Sequence, residues 1–472
     1  MLFNSIPFLL FLPCVCVLYY CIPASQQRLK NGLLLGASYW FYMSWEPAYA
    51  LLLLSSTVIT YLSAIGLGKC YSTRGRKRIL SISITLNLSL LFLFKYYDFA
   101  AENIKTVMQA GGFVVDLPRL GLLLPVGISF YTFQALGYLI DVYRRTVRVE
   151  RHFPTFALFV SFFPQLVAGP IERSTNLLPQ FKIPHSFDNR QAMEGIKMMV
   201  WGYFMKLVVA DRCGLYVDAV FNNVSMHNSG SFLLASLLFT FQIYGDFAGY
   251  SLIAIGVARI LGFRLMENFH RPYFACSVTE FWHRWHISLS TWFKDYLYIP
   301  LGGNRMSRPG CYANLLVTFT VSGIWHGADW TFFCWGFLHG LLLCVDKAFD
   351  ISKRILTTLE RLSCRLLTFA IVCLGWIPFR VNSLSDARLV LTTIASHFDF
   401  PELSFAMFTE VTTAMGAIVI LLCRELADER RWKPSFVLRH PQTATNIYLV
   451  LMVAGILVMG VLDGDQFIYF QF

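Results

Sequence analysis

Histidine gives up and regains a proton near neutral pH, and four histidines of this sequence sit where an ionisable group is expensive. His283, His286, His326 and His339 lie in strongly apolar stretches that also carry Trp282, Trp285, Trp292, Trp325 and Trp330. Ionisable groups inside a membrane are costly and are usually retained for function. His326, between Trp325 and Gly327 at a hydrophobic turn, reads as a buried general base. The plainer alternative is a histidine that caps a helix or binds a backbone carbonyl. Asp329, three residues on, either orients a ring or caps the following helix, and the cap is the simpler role. His339 falls in mid-span and reads as a hydrogen-bonded histidine of a bundle interior.

The strings WHRWHISLSTWFKDYLYIPLGGNR (282–305) and GIWHGADWTF (323–332) resemble the signature of the membrane-bound O-acyltransferases, the MBOAT family, and within it the alginate O-acetyltransferase branch. The likeness continues in PVGISFYTFQALGYLIDVYR (125–144), FFPQLVAGPIER (162–173), YGDFAGYSLIAIG (244–256) and FIYFQF (467–472). One departure stands out. The family often carries an acidic residue in the stretch equivalent to 250–253, where this chain has none, which leaves Asp246 as the acid of that segment.

The resemblance implies acyl transfer from a thioester to an alcohol. That reaction needs a base for the hydroxyl proton and donors for the tetrahedral oxyanion. It implies His326 as the base and His286 as a second member of the reaction chamber. His283 is then a local variation, because family members commonly carry another residue there. Acetyl-CoA would be the donor, with no permanently bound cofactor. Arg284, Lys294, Asn304 and Arg305 would hold the coenzyme A phosphates, unless they are ordinary flanking charge. Gln134 and Asp141 either support the chamber or make helix–helix hydrogen bonds. The segment FIYFQF has two readings. It is an interfacial aromatic anchor, or Tyr469 is an acyl relay, as in related D-alanine transfer systems where a small partner protein ends in a similar tail. A phenol, with a pKa of about 10, leaves more readily than a sugar alcohol.

Composition fixes the class independently. Of 472 residues, 56% are hydrophobic and only 14% charged, against roughly 25% charged in soluble domains. This chain has too few charges to cover a water-facing surface, so it is a polytopic membrane protein. The net charge of +11 comes from short basic clusters between apolar segments, the pattern that encodes topology rather than nucleic-acid binding. The twelve cysteines are mostly scattered singly among apolar residues, without CxxC or Cys/His ligand spacing, so they read as packing thiols rather than a metal site. The first apolar stretch lacks a basic n-region and a small-residue cleavage site and reads as a first span.

These residues must be positioned by an all-α, MBOAT-like bundle of roughly 11–13 transmembrane helices with re-entrant segments. The expected spans cover 5–23, 31–45, 47–66, 79–95, 120–140, 195–211, 231–262 (one or two), 311–326, 330–347, 366–380, 408–424 and 446–462. The stretch 153–170, with Pro154, Pro164 and Pro170, reads as a broken re-entrant segment. All of 1–472 is taken as one membrane domain, with N-terminal spans over about 5–140, a core over 125–347, C-terminal spans over 366–462 and a tail over 463–472. Basic clusters such as Arg28 and Lys30, or Arg74, Arg76, Lys77 and Arg78, orient the chain. They place the N-terminus and the tail outside, and His326 in the outer part of the membrane.

The expected function is transfer of acetyl from cytoplasmic acetyl-CoA across the inner membrane to an exported, alginate-like polysaccharide, in contact with membrane lipids and with a periplasmic SGNH-type acetyltransferase as partner. Cellulose, peptidoglycan or a D-alanyl wall polymer are alternative destinations. A non-catalytic export-channel or scaffold subunit is the alternative class. A channel predicts intramembrane charges in matched inverted halves, and no such repeat is visible.

Overall fold

The computed structural model describes residues 1–167, 169–353, 357–432, 435–462 and 467–468, with the side chains of 353, 436 and 437 left aside. Among the described residues the chain is helical and without strands. It forms two compact units, 1–195 with 254–266, and 196–253 with 267–472.

In the first unit, the helices Ile6–Cys21, Gln27–Met43, Tyr49–Lys69, Thr73–Lys95, Tyr97–Ala110 and Ile128–Arg144 follow in order. Ser72 starts Thr73–Lys95 by accepting the Gly75 backbone N–H at 3.4 Å, a standard satisfaction of an orphan donor. The broken segment expected over 153–170 is a helix Phe153–Ser161 and a short one, Phe163–Leu166, separated by Phe162 in a non-helical conformation. Each short helix has a proline in its first turn, where the missing N–H costs nothing. The span expected over 120–140 is corrected: its helix begins only at Ile128. Gly127 has φ 76°, a left-handed conformation that ends any backward continuation of a right-handed helix.

In the second unit, a π-helical turn Phe204–Ala210 lies between Asn189–Tyr203 and Asp211–Phe221. The stretch over 231–262 is one helix, Ser229–Ile260, of 32 residues. Its residues through Ile253 belong to the second unit and the remainder to the first. A helical hairpin, Arg308–His326 and Trp330–Ala348, follows. Its helices approach closely because both carry glycine at the crossing: a Cβ on Gly323 would lie 2.9 Å from the Cα of Gly336. Asp329 caps the second helix, its Oδ1 accepting the Thr331 N–H at 2.8 Å.

Seven helices among the described residues are long and apolar enough to cross a membrane: Tyr49–Lys69, Thr73–Lys95, Ser229–Ile260, Trp330–Ala348, Thr358–Arg380, Phe405–Glu429 and Pro441–Met459. Ile6–Cys21 is apolar but shorter. Val450, Leu451, Leu457 and Val458 are exposed on Pro441–Met459, which is tolerable when the surrounding solvent is hydrocarbon. The protein is a multi-pass membrane protein.

Candidate active site

His286 stands between the helices Val278–Arg284 and Ile287–Phe293, with φ 42° and ψ 55°. A non-glycine residue in the left-handed region is uncommon and must be held there by its surroundings. Asn268 does the holding. Its backbone carbonyl accepts the Ile287 N–H at 2.8 Å. Its side-chain Oδ1 faces the Ser288 N–H at 3.3 Å, the Ser288 hydroxyl at 2.8 Å and His286 Nδ1 at 3.0 Å. Its Nδ2 donates to Ser251 Oγ at 3.1 Å. All four side chains are buried.

This network fixes a tautomer. A backbone N–H only donates, so the amide atom facing Ser288 must be oxygen. That oxygen can only accept, so Nδ1 of His286 carries the proton and Nε2 is left as an acceptor. The segment lies outside the membrane-crossing helices, and burial pushes the imidazole pKa down to about 3. Burial favours the neutral ring because charge is poorly solvated there. His286 is therefore a neutral, oriented hydrogen-bond acceptor at Nε2.

His326 ends the helix Arg308–His326 and is buried. Trp325 stands against both imidazoles, its ring 6.3 Å from His286 and 4.9 Å from His326. Trp335 and Phe379 close in on His326 at 5.1 and 5.4 Å. The structure thus brings together the two histidines singled out in the sequence, on one aromatic wall of the second unit.

A cavity of about 850 Å³ in the same unit runs along the helix that His326 terminates. Cys311, Leu315, Thr318 and Ser322 line it. Those positions share one helix face, and His326 is the next position on that face. Lys294, Arg308 and Lys347 supply cationic groups to the lining. Asn304, also in the lining, accepts from Lys347 Nζ and from the Tyr298 hydroxyl. Lys294 and Tyr298 come from a π-helical turn, Lys294–Tyr298; such widened turns are rare and gather at functional sites.

The other expected residues divide. Lys294 and Asn304 reach the cavity; Arg284 and Arg305 are not among its lining residues. Arg284 is paired with Glu280 at 2.7 Å and Glu429 at 3.1 Å. His283, treated above as a local variation, lines the cavity. His339 is corrected: neither ring nitrogen has a hydrogen-bond partner among the described residues, and Trp282, Trp335 and Trp376 surround the ring. In the first unit, Gln134 donates to the Phe159 carbonyl at 2.8 Å, the helix–helix bond weighed above, and Asp141 is half-buried near the end of Ile128–Arg144. Tyr469 lies outside the described residues. Its neighbours Phe467 and Ile468 are buried.

Sequence reasoning missed Asn268, Arg308 and Lys347. Asn268 is 18 residues from His286 in a stretch without periodicity, so no local signal marks it. Arg308 and Lys347 read as flanking charge until the hairpin brings them to one cavity.

A buried pair of imidazoles and, in the same unit, a cavity with cationic lining are features that acid–base chemistry could use. The comparisons name the class more closely. Residues 34–358 match the model of the MBOAT, membrane-bound O-acyltransferase family, and the chain belongs to that family. A protein of Azotobacter vinelandii named "Probable alginate O-acetylase AlgI" is 36% identical, with 100% of each chain covered. One of the same name from Pseudomonas aeruginosa is 40% identical over 94% of this chain and 85% of the relative. A peptidoglycan O-acetyltransferase of Helicobacter pylori is 35% identical over 83% of this chain and 79% of its own. This chain is an O-acyltransferase.

Proposed function

We propose that this enzyme takes acetyl from acetyl-CoA on the cytoplasmic side and delivers it outward for O-acetylation of an exported alginate-like polysaccharide. The observation that carries the reading is the helix Arg308–His326: one face of it lines the cavity as far as Ser322, together with Lys294, Arg308 and Lys347, and its last residue is His326, which is not itself among the lining residues. Cations suit the phosphates of coenzyme A, and the acyl end would extend along that face toward the imidazoles. The names of the relatives from Azotobacter and Pseudomonas support an alginate-type acceptor. The Helicobacter relative supports peptidoglycan as a second acceptor for the same chemistry.

The transfer proceeds in two balanced steps. The Tyr469 hydroxyl attacks the thioester carbonyl as His326 takes its proton; the C–S bond breaks, and the thiolate leaves with that proton as coenzyme A. An acceptor hydroxyl then attacks the phenyl ester; a new ester forms, and the phenolate recovers a proton. His286, neutral with Nε2 as its acceptor nitrogen, is the second acceptor at this wall. A periplasmic SGNH-type acetyltransferase completes delivery to the polymer.

Sealed vesicles of known orientation, given labelled acetyl-CoA on one side only, test the donor side. Label must enter from the cytoplasmic side; entry from the outer side alone overturns the reading. Tyr469→Phe tests the relay: polymer acetylation should stop at normal protein level, and wild-type acetylation would remove Tyr469 from the path.

A further inference from the structure

Within the second unit, Lys206 is buried between two carboxylates. Its Nζ lies 2.7 Å from Asp211 Oδ1 and 2.7 Å from Asp246 Oδ1, and all three side chains are nearly solvent-free. One ammonium between two carboxylates leaves one formal negative charge, which hydrogen-bond donors help to offset out of water. The remaining oxygen of Asp246, Oδ2, accepts the backbone N–H of Ile468 at 2.6 Å. This donor comes from 222 residues along the chain.

The surrounding elements are built for that approach. The helix Ser229–Ile260 supplies Asp246 and the two rings next to it, Phe247 and Tyr250. Phe467 is fully buried against both, at 5.6 Å from Phe247 and 4.6 Å from Tyr250. Phe247 in turn packs on His286 at 4.6 Å. The π-helical turn that carries Lys206 also ties down the chain leading to this segment, for the Leu207 carbonyl accepts the Val461 N–H at 3.0 Å. Arg212 Nε donates to the Met459 carbonyl at 2.7 Å.

We propose that Lys206, Asp211 and Asp246 form a seat for Phe467 and Ile468: they are positioning residues that fix these two residues beside Phe247, which packs on His286, and the proposed relay through Tyr469 depends on that seat. The seat itself stands on the contacts above; its catalytic use rests on the relay reading of Tyr469. The physical logic is a charge-assisted hydrogen bond that needs a backbone N–H, not a particular side chain, at 468. Aromatic packing at Phe467 then supplies register.

Hydrogen–deuterium exchange of the peptide ending the chain, measured on the purified full-length enzyme, reads the seat directly; polymer acetylation reads its use. Ile468→Pro removes the donor without touching the cluster, and Ile468→Val keeps it. Asp246→Asn removes the charge and keeps an acceptor. Ile468→Pro and Asp246→Asn should speed exchange of the tail peptide on the order of ten- to a hundredfold and lower acetylation in step, while Ile468→Val behaves as native. Unchanged tail exchange in Ile468→Pro overturns the seat, whatever Asp246→Asn does to folding. Faster exchange with wild-type acetylation overturns the positioning role. Failure of the relay reading is seen separately, as wild-type acetylation by Tyr469→Phe with the tail still protected.

Discussion

Buried polar side chains do different work in the two units. In the first, several of them satisfy backbone carbonyls one by one: Lys30 donates to His185, Asn31 to Phe181, and Gln134 and Gln165 both to Phe159, while Asn87 joins Ser56 and Thr60 without any imidazole or charge. Broken helices leave such carbonyls without partners, and each side chain closes one deficit. In the second unit, buried ionisable side chains meet other polar side chains. Asn268 gathers His286, Ser288 and Ser251, and Lys206 gathers Asp211 and Asp246. The difference teaches where chemistry can reside. A donor consumed by a carbonyl is a strut, whereas a network that orients an imidazole leaves a nitrogen with a defined capacity.

The comparison breaks first at the imidazoles. His326→Ala should lower polymer acetylation by on the order of 10²–10⁴ with the protein still folded in the membrane; near-normal acetylation would leave the aromatic wall without a base. His286→Ala should also lose most activity, and His283→Ala little.

Asn268→Asp sharpens the argument about orientation. A carboxylate beside Nδ1–H favours the imidazolium and raises the His286 pKa from about 3 toward the working range. A protonated Nε2 cannot accept, so activity should fall as pH drops through the raised pKa, by about tenfold per unit below it. An acid limb absent from the wild type and present in this variant is the expected profile. Identical profiles would mean that His286 handles no proton.

Smaller effects belong to the cavity and then to the struts. Lys294→Ala and Lys347→Ala should raise the acetyl-CoA KM by roughly tenfold with kcat nearly kept, the pattern of lost uniform binding. Asn31→Leu should cost about 1–3 kcal/mol of stability through the Phe181 carbonyl, read as a lower thermal midpoint, with unchanged kinetics per folded molecule. A kinetic defect there would erase the distinction between the units.

Some of the site was legible before any coordinates. His326 and the Asp329 cap could be read because a turn between two apolar helices is a local pattern, and the broken 153–170 segment because proline is a local punctuation. His283 and His286 show the limit. They are three residues apart with similar neighbours, yet one is exposed at the cavity and the other is buried in the grip of Asn268.

What the sequence determined by itself was class and chemistry. An apolar chain with few charges must span a membrane, and histidines planted in tryptophan-rich turns point to proton transfer. The partners were decided by tertiary structure alone. Asn268 finds His286, Lys206 finds Asp246, and Asp246 finds the Ile468 amide because an unpaired charge or polar group is costly in a low-dielectric interior. Hydropathy specifies that a segment is buried, but not which distant residue it will meet there.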